Sequence, residues 1–216
     1  MSVVIIDYGS GNLRSAQKAF MRAADEAGMQ DAIVVSADPR RVARAERIVL
    51  PGVGAFADCM AGLSSTSGMV DALLEAVVHQ RVPLLGVCVG MQLFATRGLE
   101  HRVTKGLDLI PGDVRLLEPS DPSLKIPHMG WNVLEEVRPH PLLEGIPTGP
   151  DGWHAYFVHS YVIAPDRAED IIALSEHGEP FAAIVGRDNI VGTQFHPEKS
   201  QRLGLALIAN FLKWMP

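Results

Sequence analysis

The sequence predicts an α/β fold in which a central, mainly parallel sheet is flanked by helices. Over the first half of the chain, short β-branched apolar runs alternate with stretches whose apolar residues recur at helical spacing. A strand, a helix and a second strand in that order imply a right-handed crossover between parallel strands. After Gly98, many short apolar runs are interrupted by proline and glycine. This change indicates an additional antiparallel or mixed sheet portion.

Each element of the first half has its own signal. The predicted strands cover residues 3–6, 32–35 and 47–50 and the segment that leads into Cys88. The predicted helices begin near Asn12, at Pro39, around Cys59 and at residue 70, the last of them extending to Arg81. That last helix carries an apolar stripe expected to face the core, formed by Leu73, Leu74, Val77 and Val78. Asn12 is the expected N-cap of the first helix, and the third strand is expected to stop at Pro51.

The second half is expected to contribute shorter strands and one closing helix. Its apolar runs lie at residues 114–117, 131–134, 156–158, 171–174 and 181–185. Ser200 is the expected N-cap of the closing helix. The inner side of that helix carries Leu203, Leu207, Ile208, Phe211 and Leu212. No repeat or long linker divides the sequence, so we expect residues 1–216 to form a single domain.

Composition limits the classes of function. The chain has 216 residues, of which 47% are apolar, and a formal net charge of −6. Since no basic stripe is present, the acidic balance argues against a nucleic-acid partner. No apolar stretch has the length of a membrane span, and no basic segment precedes the first strand as in a signal peptide. Two cysteines make no disulfide framework, and no metal-ligand spacing occurs. We therefore expect a cytoplasmic protein without a metal or other cofactor.

The segment around Cys88 has the pattern of a nucleophile elbow. Residues 86–90 read Gly-Val-Cys-Val-Gly and lie between an apolar strand and a helix-like run. In the corresponding serine motif, a sharp strand-to-helix turn exposes the middle side chain, and the flanking glycines tolerate strained angles. The start of a helix also favours a thiolate, which is the attacking form of cysteine. The alternative is a buried structural cysteine, a common state for a free thiol.

A cysteine nucleophile needs a general base, and His196 is the best candidate. Residues 194–200 read Gln-Phe-His-Pro-Glu-Lys-Ser, between a predicted strand and the closing helix. His196 can accept the proton of Cys88, and Glu198 can accept the other imidazole N–H and fix the tautomer. Taken alone, His196 is more simply interpreted as an ordinary surface-loop histidine, since the chain has eight histidines. Together with Glu198 and the elbow, it predicts a Cys-His-Glu triad.

Attack on a carbonyl also requires donors for the developing oxyanion. The backbone N–H of Val89, directly after the nucleophile, is one donor expected from the elbow geometry. The Pro-Gly-Val-Gly segment at residues 51–54 ends a neighbouring strand and can present a second N–H, from Val53. In isolation this segment is also compatible with a plain turn.

The combined motifs resemble the class I, triad-type glutamine amidotransferases. Within that class, the sequence is similar to the glutaminase subunits of imidazole glycerol phosphate synthase. The motifs that carry this narrower resemblance span almost the whole chain and lie at residues 7–13, 50–56, 126–132, 156–161 and 194–200. The Pro-Gly-Val-Gly form is its most specific part, because related glutaminases usually have Pro-Gly-Gly there. One departure is Val89, where leucine or isoleucine is usual, but this position contributes only its backbone N–H.

The resemblance implies a flavodoxin-like fold and a reaction shared by two proteins. This chain is expected to hydrolyse glutamine through a thioester on Cys88 and to pass ammonia to a (β/α)8-barrel cyclase subunit. The cyclase then forms imidazole glycerol phosphate and an aminoimidazole carboxamide ribotide, a step of histidine biosynthesis. We also expect the Val53 donor to be incorrectly oriented until the cyclase acts.

The resemblance also implies roles for further residues. Those expected to bind glutamine are Gly52, Gln92, Glu100, His159, Ser160 and Tyr161. Those expected to face the cyclase are Asn12, Trp131, Tyr156 and Lys199. Glu100 lies in a less typical stretch, and its alternative is a surface charge. An aromatic residue such as Trp131 is more often part of a core than of an interface.

Two other functions are open at this point. One is a different glutaminase or γ-glutamyl hydrolase on the same scaffold, which the Pro-Gly-Val-Gly and Pro-His-Met-Gly-Trp-Asn motifs disfavour. The other is a catalytically inactive partner-binding subunit. The presence of Cys88, His196 and Glu198 together argues against it, since binding alone does not require all three.

Overall fold

The strands and helices of the computed structural model follow the predicted α/β order. The structure describes residues 2–29 and 32–216. The strands are β1 (Ser2–Ile6), β2 (Ala32–Ser36), β3 (Arg47–Gly52), β4 (Leu84–Cys88), β5 (Arg97–Gly98), β6 (Thr104–Lys105), β7 (Gly112–Leu116), β8 (His128–Val133), β9 (Glu135–Glu136), β10 (His154–His159), β11 (Tyr161–Pro165), β12 (Ile171–Glu176), β13 (Pro180–Arg187) and β14 (Ile190–Thr193). The helices are α1 (Leu13–Glu26), α2 (Pro39–Val42), α3 (Phe56–Ser65), α4 (Met69–Leu74), α5 (Val89–Gln92) and α6 (Gln201–Lys213).

The central sheet has eight strands in the order β2-β1-β3-β4-β14-β13-β12-β9. The first five of these are parallel to one another, and β13, β12 and β9 continue the sheet in antiparallel pairs. Strands β3 and β4 are buried along their whole length, as expected for parallel strands covered on both faces. Helix α1 packs against α6, whereas α2 and α3 both contact α4. The predicted fold class is therefore confirmed.

The inserted strands form two smaller sheets beside the central one. Strands β10 and β8 make a two-stranded antiparallel sheet, and a four-stranded sheet has the order β11-β7-β5-β6. Apart from β5, their strands come from the part of the chain where the sequence predicted antiparallel or mixed strands. Parallel strands end at one common edge, so β3, β4 and β14 deliver their carboxyl ends close to these added sheets.

Three local predictions need correction. Strand β3 does not stop at Pro51 but continues to Gly52, which pairs with Cys88. Beyond Val49 this strand pairs with β4 alone, so the missing N–H of Pro51 interrupts no ladder with β1. The helix predicted over residues 70–81 is α4 followed by a π-helical turn, Glu75–His79. The π-helical turn is wider than an α-helical turn, so its side chains point in other directions than an α-helix would give. Val78 is therefore 48% exposed instead of facing the core.

The two expected caps do not act as caps. Asn12 precedes α1 but makes no side-chain bond to the helix. Ser200 precedes α6, and its hydroxyl instead donates to the carbonyl oxygen of His196 and accepts from the N–H of Tyr156. Ser200 thereby ties the strand β10 to the loop that carries the predicted base. The inner residues of α6 are buried as predicted.

Candidate active site

The turn between β4 and α5 presents Cys88. Its backbone has φ 55° and ψ −114°, a strained conformation for a residue other than glycine. The strain falls on the cysteine itself, because neither Gly86 nor Gly90 has a positive φ. The glycines serve close packing instead. A Cβ at Gly90 would clash with the carbonyl of Leu50, and one at Gly86 would clash with Phe94.

The predicted base and its partner lie beside the nucleophile. His196 follows β14 and precedes a short 3₁₀ turn, Pro197–Lys199. Its Nδ1 is 2.8 Å from Oε1 of Glu198, and both side chains are buried. Because the carboxylate accepts a hydrogen bond from Nδ1–H, Nε2 is left to face the nucleophile. Cys88 and His196 line the same cavity, so the structure brings the three predicted triad residues together.

The surroundings of His196 favour its protonated form. Burial of the ring lowers the pKa, but hydrogen bonding to Cys88 and to Glu198 outweighs this and raises the pKa of His196 to about 9. The imidazole therefore carries two protons at neutral pH. An imidazolium next to a cysteine supports negative charge on the sulfur and can supply a proton to a leaving amine.

A buried glutamine that the motif analysis did not single out also contacts the nucleophile. Nε2 of Gln194 donates to Sγ of Cys88 at 3.7 Å, and its Oε1 accepts from Nε2 of Gln92 at 3.0 Å. Gln194 is fully buried. An amide donor directed at the sulfur favours negative charge there. The only signal in the sequence was its place two residues before His196, which indicated no role.

The two predicted oxyanion donors are in different states. Val89 begins α5, where an N–H has no acceptor within the helix, and it lines the cavity. The N–H of Val53 instead donates to Oγ of Ser10 at 3.2 Å. The Val53 carbonyl accepts from the Ser10 hydroxyl at 2.9 Å and from the Cys59 thiol at 3.3 Å. In this structure Val53 is therefore held by Ser10 and Cys59, and its N–H is not offered to the cavity.

The cavity has a volume of about 430 Å³ and opens beside the triad. Its wall contains most of the residues expected to bind glutamine, namely Gln92, Glu100, His159, Ser160 and Tyr161. Gly52 is not among the lining residues. It is buried at the end of β3, and Val53 and Gly54 line the cavity in its place. One carboxylate oxygen of Glu100 is already engaged, since it accepts from the N–H of Phe56 at the start of α3, at 2.8 Å.

Of the four residues expected to face a partner, three lie outside the wall of this cavity. Trp131 and Tyr156 contact edge to face, with ring centroids 5.6 Å apart, and the ammonium of Lys199 lies 5.8 Å from the Tyr156 ring. Trp131 is 48% exposed, so it is not a core residue. Lys199 also lines the cavity. Asn12 is exposed and lies at a small crevice that it shares with His196 and Glu198.

Comparison with known proteins agrees with this geometry. Residues 4–214 match the model of the family described as Glutamine amidotransferase class-I. The chain is 62% identical to "Imidazole glycerol phosphate synthase subunit HisH" of Rhizobium meliloti (strain 1021), over 100% of both chains. It is 61% identical to the protein of the same name from Brucella abortus (strain 2308), again over 100% of both.

Solved structures show the same fold at low sequence identity. One, described as "Crystal structure of glutamine amidotransferase", has a TM-score of 0.70 at 17% identity and covers 97% of each chain. Among the described residues, none of the helices is long and apolar enough to cross a membrane. The fold, the triad-bearing cavity and the full-length match lead to one conclusion: the chain belongs to the class I glutamine amidotransferase family.

Proposed function

We propose that the protein hydrolyses glutamine to glutamate and ammonia and delivers the ammonia to a cyclase subunit of imidazole glycerol phosphate synthase. The observation that carries the hydrolysis is the strained Cys88, which shares a cavity with a buried His196–Glu198 pair. A catalytically inactive binding subunit has no use for a strained cysteine beside a protonated histidine.

The reaction begins with attack of the Cys88 sulfur on the carboxamide carbon of glutamine. His196, as the imidazolium, gives its proton to the departing nitrogen, so the C–N bond breaks, ammonia leaves and a γ-glutamyl thioester remains. Water then attacks the thioester and passes a proton to His196. The Cys88 sulfur leaves with its electron pair, and glutamate is released. Acid–base help of this kind typically contributes about 10²–10⁴ in rate.

The oxyanion of each tetrahedral intermediate requires backbone donors. Val89 supplies one at the start of α5. The second is the N–H of Val53, which must exchange its bond to Ser10 for one to the oxyanion. Losing a single oxyanion donor costs about 10²–10³ in rate in other enzymes. We therefore assign the isolated protein a low basal rate, which increases when the cyclase shifts Val53 into the donating orientation.

Three observations support a cyclase partner. The relatives at 62% and 61% identity are both named as subunits of a synthase. An exposed aromatic and cationic surface, formed by Trp131, Tyr156 and Lys199, borders the cavity. Ammonia is also lost to solvent unless its acceptor is held against the site. We assign the partner as a (β/α)8-barrel that forms imidazole glycerol phosphate and aminoimidazole carboxamide ribotide in histidine biosynthesis.

The function is tested by assaying glutamine hydrolysis with and without the candidate cyclase and its ligand. Wild-type protein is expected to turn over glutamine slowly alone and much faster in the complex. Cys88→Ala should abolish glutamine-dependent cyclisation but leave ammonia-dependent cyclisation intact, because only the ammonia source is lost. Glutamine-dependent turnover by Cys88→Ala would rule out the nucleophile. Full activity of the isolated wild-type protein would rule out activation by the partner.

A further inference from the structure

Two buried histidines face each other at the cavity, where His159 is part of the wall and His128 lies behind it. His128 and His159 are paired in register across β8 and β10. Nδ1 of His128 is 3.1 Å from Nε2 of His159, and each residue is almost completely buried. The ring of His128 also stacks on Phe157 and on His177. In the part of the chain that the structure describes, no group of three or more potential ligands is placed to hold a metal. The pair therefore needs an explanation other than metal binding.

The hydrogen-bond partner of His159 determines which ring nitrogen of each histidine carries a proton. Nδ1 of His159 is 3.1 Å from the carbonyl oxygen of Tyr161. A carbonyl oxygen only accepts, so this Nδ1 carries a hydrogen. Burial lowers the pKa of His159 to about 3 and that of His128 to about 4, and both rings are neutral at pH 7. Nε2 of His159 is then bare, and Nδ1–H of His128 donates to it.

The partner of His128 at the other end of the pair requires the same placement of the protons. Nε2 of His128 lies 3.4 Å from Nδ2 of Asn132, which only donates. The Asn132 amide cannot be reversed without loss. Nδ2 also donates to the carbonyl of Glu176 at 2.7 Å, and Oδ1 accepts from the N–H of Val133 at 2.9 Å. A donor-only group at one end and an acceptor-only group at the other leave one arrangement of protons for the two histidines.

The chain of hydrogen bonds continues into the cavity wall. The Tyr161 carbonyl accepts a second bond from Nε2 of Gln92 at 2.9 Å, and the remaining Gln92 amide hydrogen goes to Oε1 of Gln194. Both donors of Gln92 are thereby used. Its Oε1 makes no hydrogen bond among the described residues and is not sealed from solvent. Gln92 lines the cavity, so it presents an acceptor there.

We propose that His128 and His159 are positioning residues of the glutamine site, which hold the Tyr161 carbonyl and thereby turn the Gln92 amide so that its oxygen faces the substrate. This proposal rests on the proposed glutaminase function. Glutamine offers N–H donors in its ammonium and carboxamide groups, and an acceptor on the cavity wall suits either. If Gln92 were free to flip, half of its orientations would present a donor to these groups.

The experiment compares His159→Phe with His159→Asn in the complex with the cyclase. Phenylalanine keeps the ring shape but gives Tyr161 no donor, whereas Nδ2 of asparagine lies where Nδ1 of histidine was. His159→Phe is expected to raise KM for glutamine about tenfold, the size of one lost hydrogen bond. It should leave kcat within about twofold, because a group that binds ground state and transition state equally affects KM alone. His159→Asn should restore KM toward the wild-type value.

The matched control is His177→Phe. This ring stacks on His128 at 4.3 Å but contributes no atom to the chain of hydrogen bonds, and its own contact is to the Lys125 carbonyl. Its KM should equal that of wild type. A purely structural role for His159 predicts the opposite pattern, a loss of kcat through a smaller active fraction with KM unchanged. That pattern, or an Asn variant no better than Phe, would overturn the proposal.

A spectroscopic measurement decides the matter even if His159→Phe does not fold. In wild-type protein labelled with ¹⁵N-histidine, both rings should appear as the neutral tautomer protonated at Nδ1. An Nε2–H tautomer at either ring would contradict the proposal. Failure of the proposed function gives a different result, because wild-type protein then shows no glutamine turnover with the cyclase, whatever the tautomers.

Discussion

At the scale of single residues, the charge state of His196 depends on its contacts more than on its burial. Burial alone lowers the pKa of a histidine, yet the bonds to Cys88 and Glu198 raise that of His196 to about 9 from an ordinary value of 6.5. The folded protein therefore binds the proton more tightly than the unfolded chain. This contribution to stability is complete below pH 6.5 and is lost as the pH rises toward 9.

Glu198→Gln is expected to lower the pKa of His196, because it removes one of the two contacts that raise it. The loss of stability with rising pH should then occur at lower pH than in wild type. NMR titration of the His196 ring and thermal melts between pH 6 and 10 measure the two effects. Glu100→Gln is the matched control, since Glu100 lines the same cavity without contacting His196. An unchanged titration midpoint in Glu198→Gln would contradict the assignment.

The residues that sequence reasoning found are those whose chemistry is local or part of a recognisable spacing. His196 and Glu198 are two positions apart, and the glycines on either side of Cys88 indicate a nucleophile elbow. Gln194 and Ser10 were not assigned a role, because their partners lie 106 and 43 positions away in the sequence. Only the fold brings the Gln194 amide to the Cys88 sulfur. No pattern of residue types predicts such a contact.

At the scale of elements, the loop after β1 holds the end of β3. The Ser10 hydroxyl both accepts from the N–H of Val53 and donates to its carbonyl. Tyr8, in the same loop, donates to the carbonyl of Pro51. The segment that we propose to supply an oxyanion donor is thus bonded to the loop after β1 and not to the cavity. The Cys59 thiol adds a further bond to the Val53 carbonyl.

Ser10→Ala is expected to raise the basal glutaminase rate of the isolated protein about fivefold or more, because it removes both bonds of the hydroxyl to Val53 and each is worth roughly 1 kcal/mol. In the saturated complex the rate should change by less than about twofold, since Val53 is then already in the donating orientation. Steady-state glutamine hydrolysis with and without cyclase measures both. Ser65→Ala removes a hydroxyl bonded only to its own helix, at Gly62, and serves as the control. Equal basal rates for Ser10→Ala and wild type would contradict this arrangement.

The parallel strands and the main helices were predictable, whereas their ends and the strands β5, β6, β9 and β11 were not. Apolar runs and helical stripes are visible in the sequence, because apolar residues occupy the positions that are buried in a strand or helix. Strand β3 can continue through Pro51 because its pairing with β1 stops at Val49. Val78 is exposed because a π-helical turn follows α4. Ser200 has a typical capping side chain, but two backbone groups from elsewhere in the fold compete for its hydroxyl. Tertiary contacts of this kind override local preference.

At the scale of the whole molecule, the cavity, the triad and the exposed aromatic surface lie at one end of the central sheet. Trp131 is close to Ser200 and Gln201 at the start of α6. Helix α6 has 13 residues, which corresponds to about 20 Å at 1.5 Å per residue. The far end of α6 and Met215 therefore lie well away from this surface. The proposed docking surface and the cavity therefore lie at the same end of α6, away from Met215.

Trp131→Ala is expected to weaken binding of the cyclase about 30-fold, which corresponds to about 2 kcal/mol for an exposed aromatic anchor. It should leave the melting temperature of the isolated protein unchanged, because Trp131 is 48% exposed and contributes little to the core. Titration calorimetry with the cyclase gives the affinity. Met215→Ala removes another exposed apolar side chain, 88% accessible, at the far end of α6, and should bind as wild type does. Equal affinities for the two variants would contradict this assignment, and the partner would then have to dock on a different face.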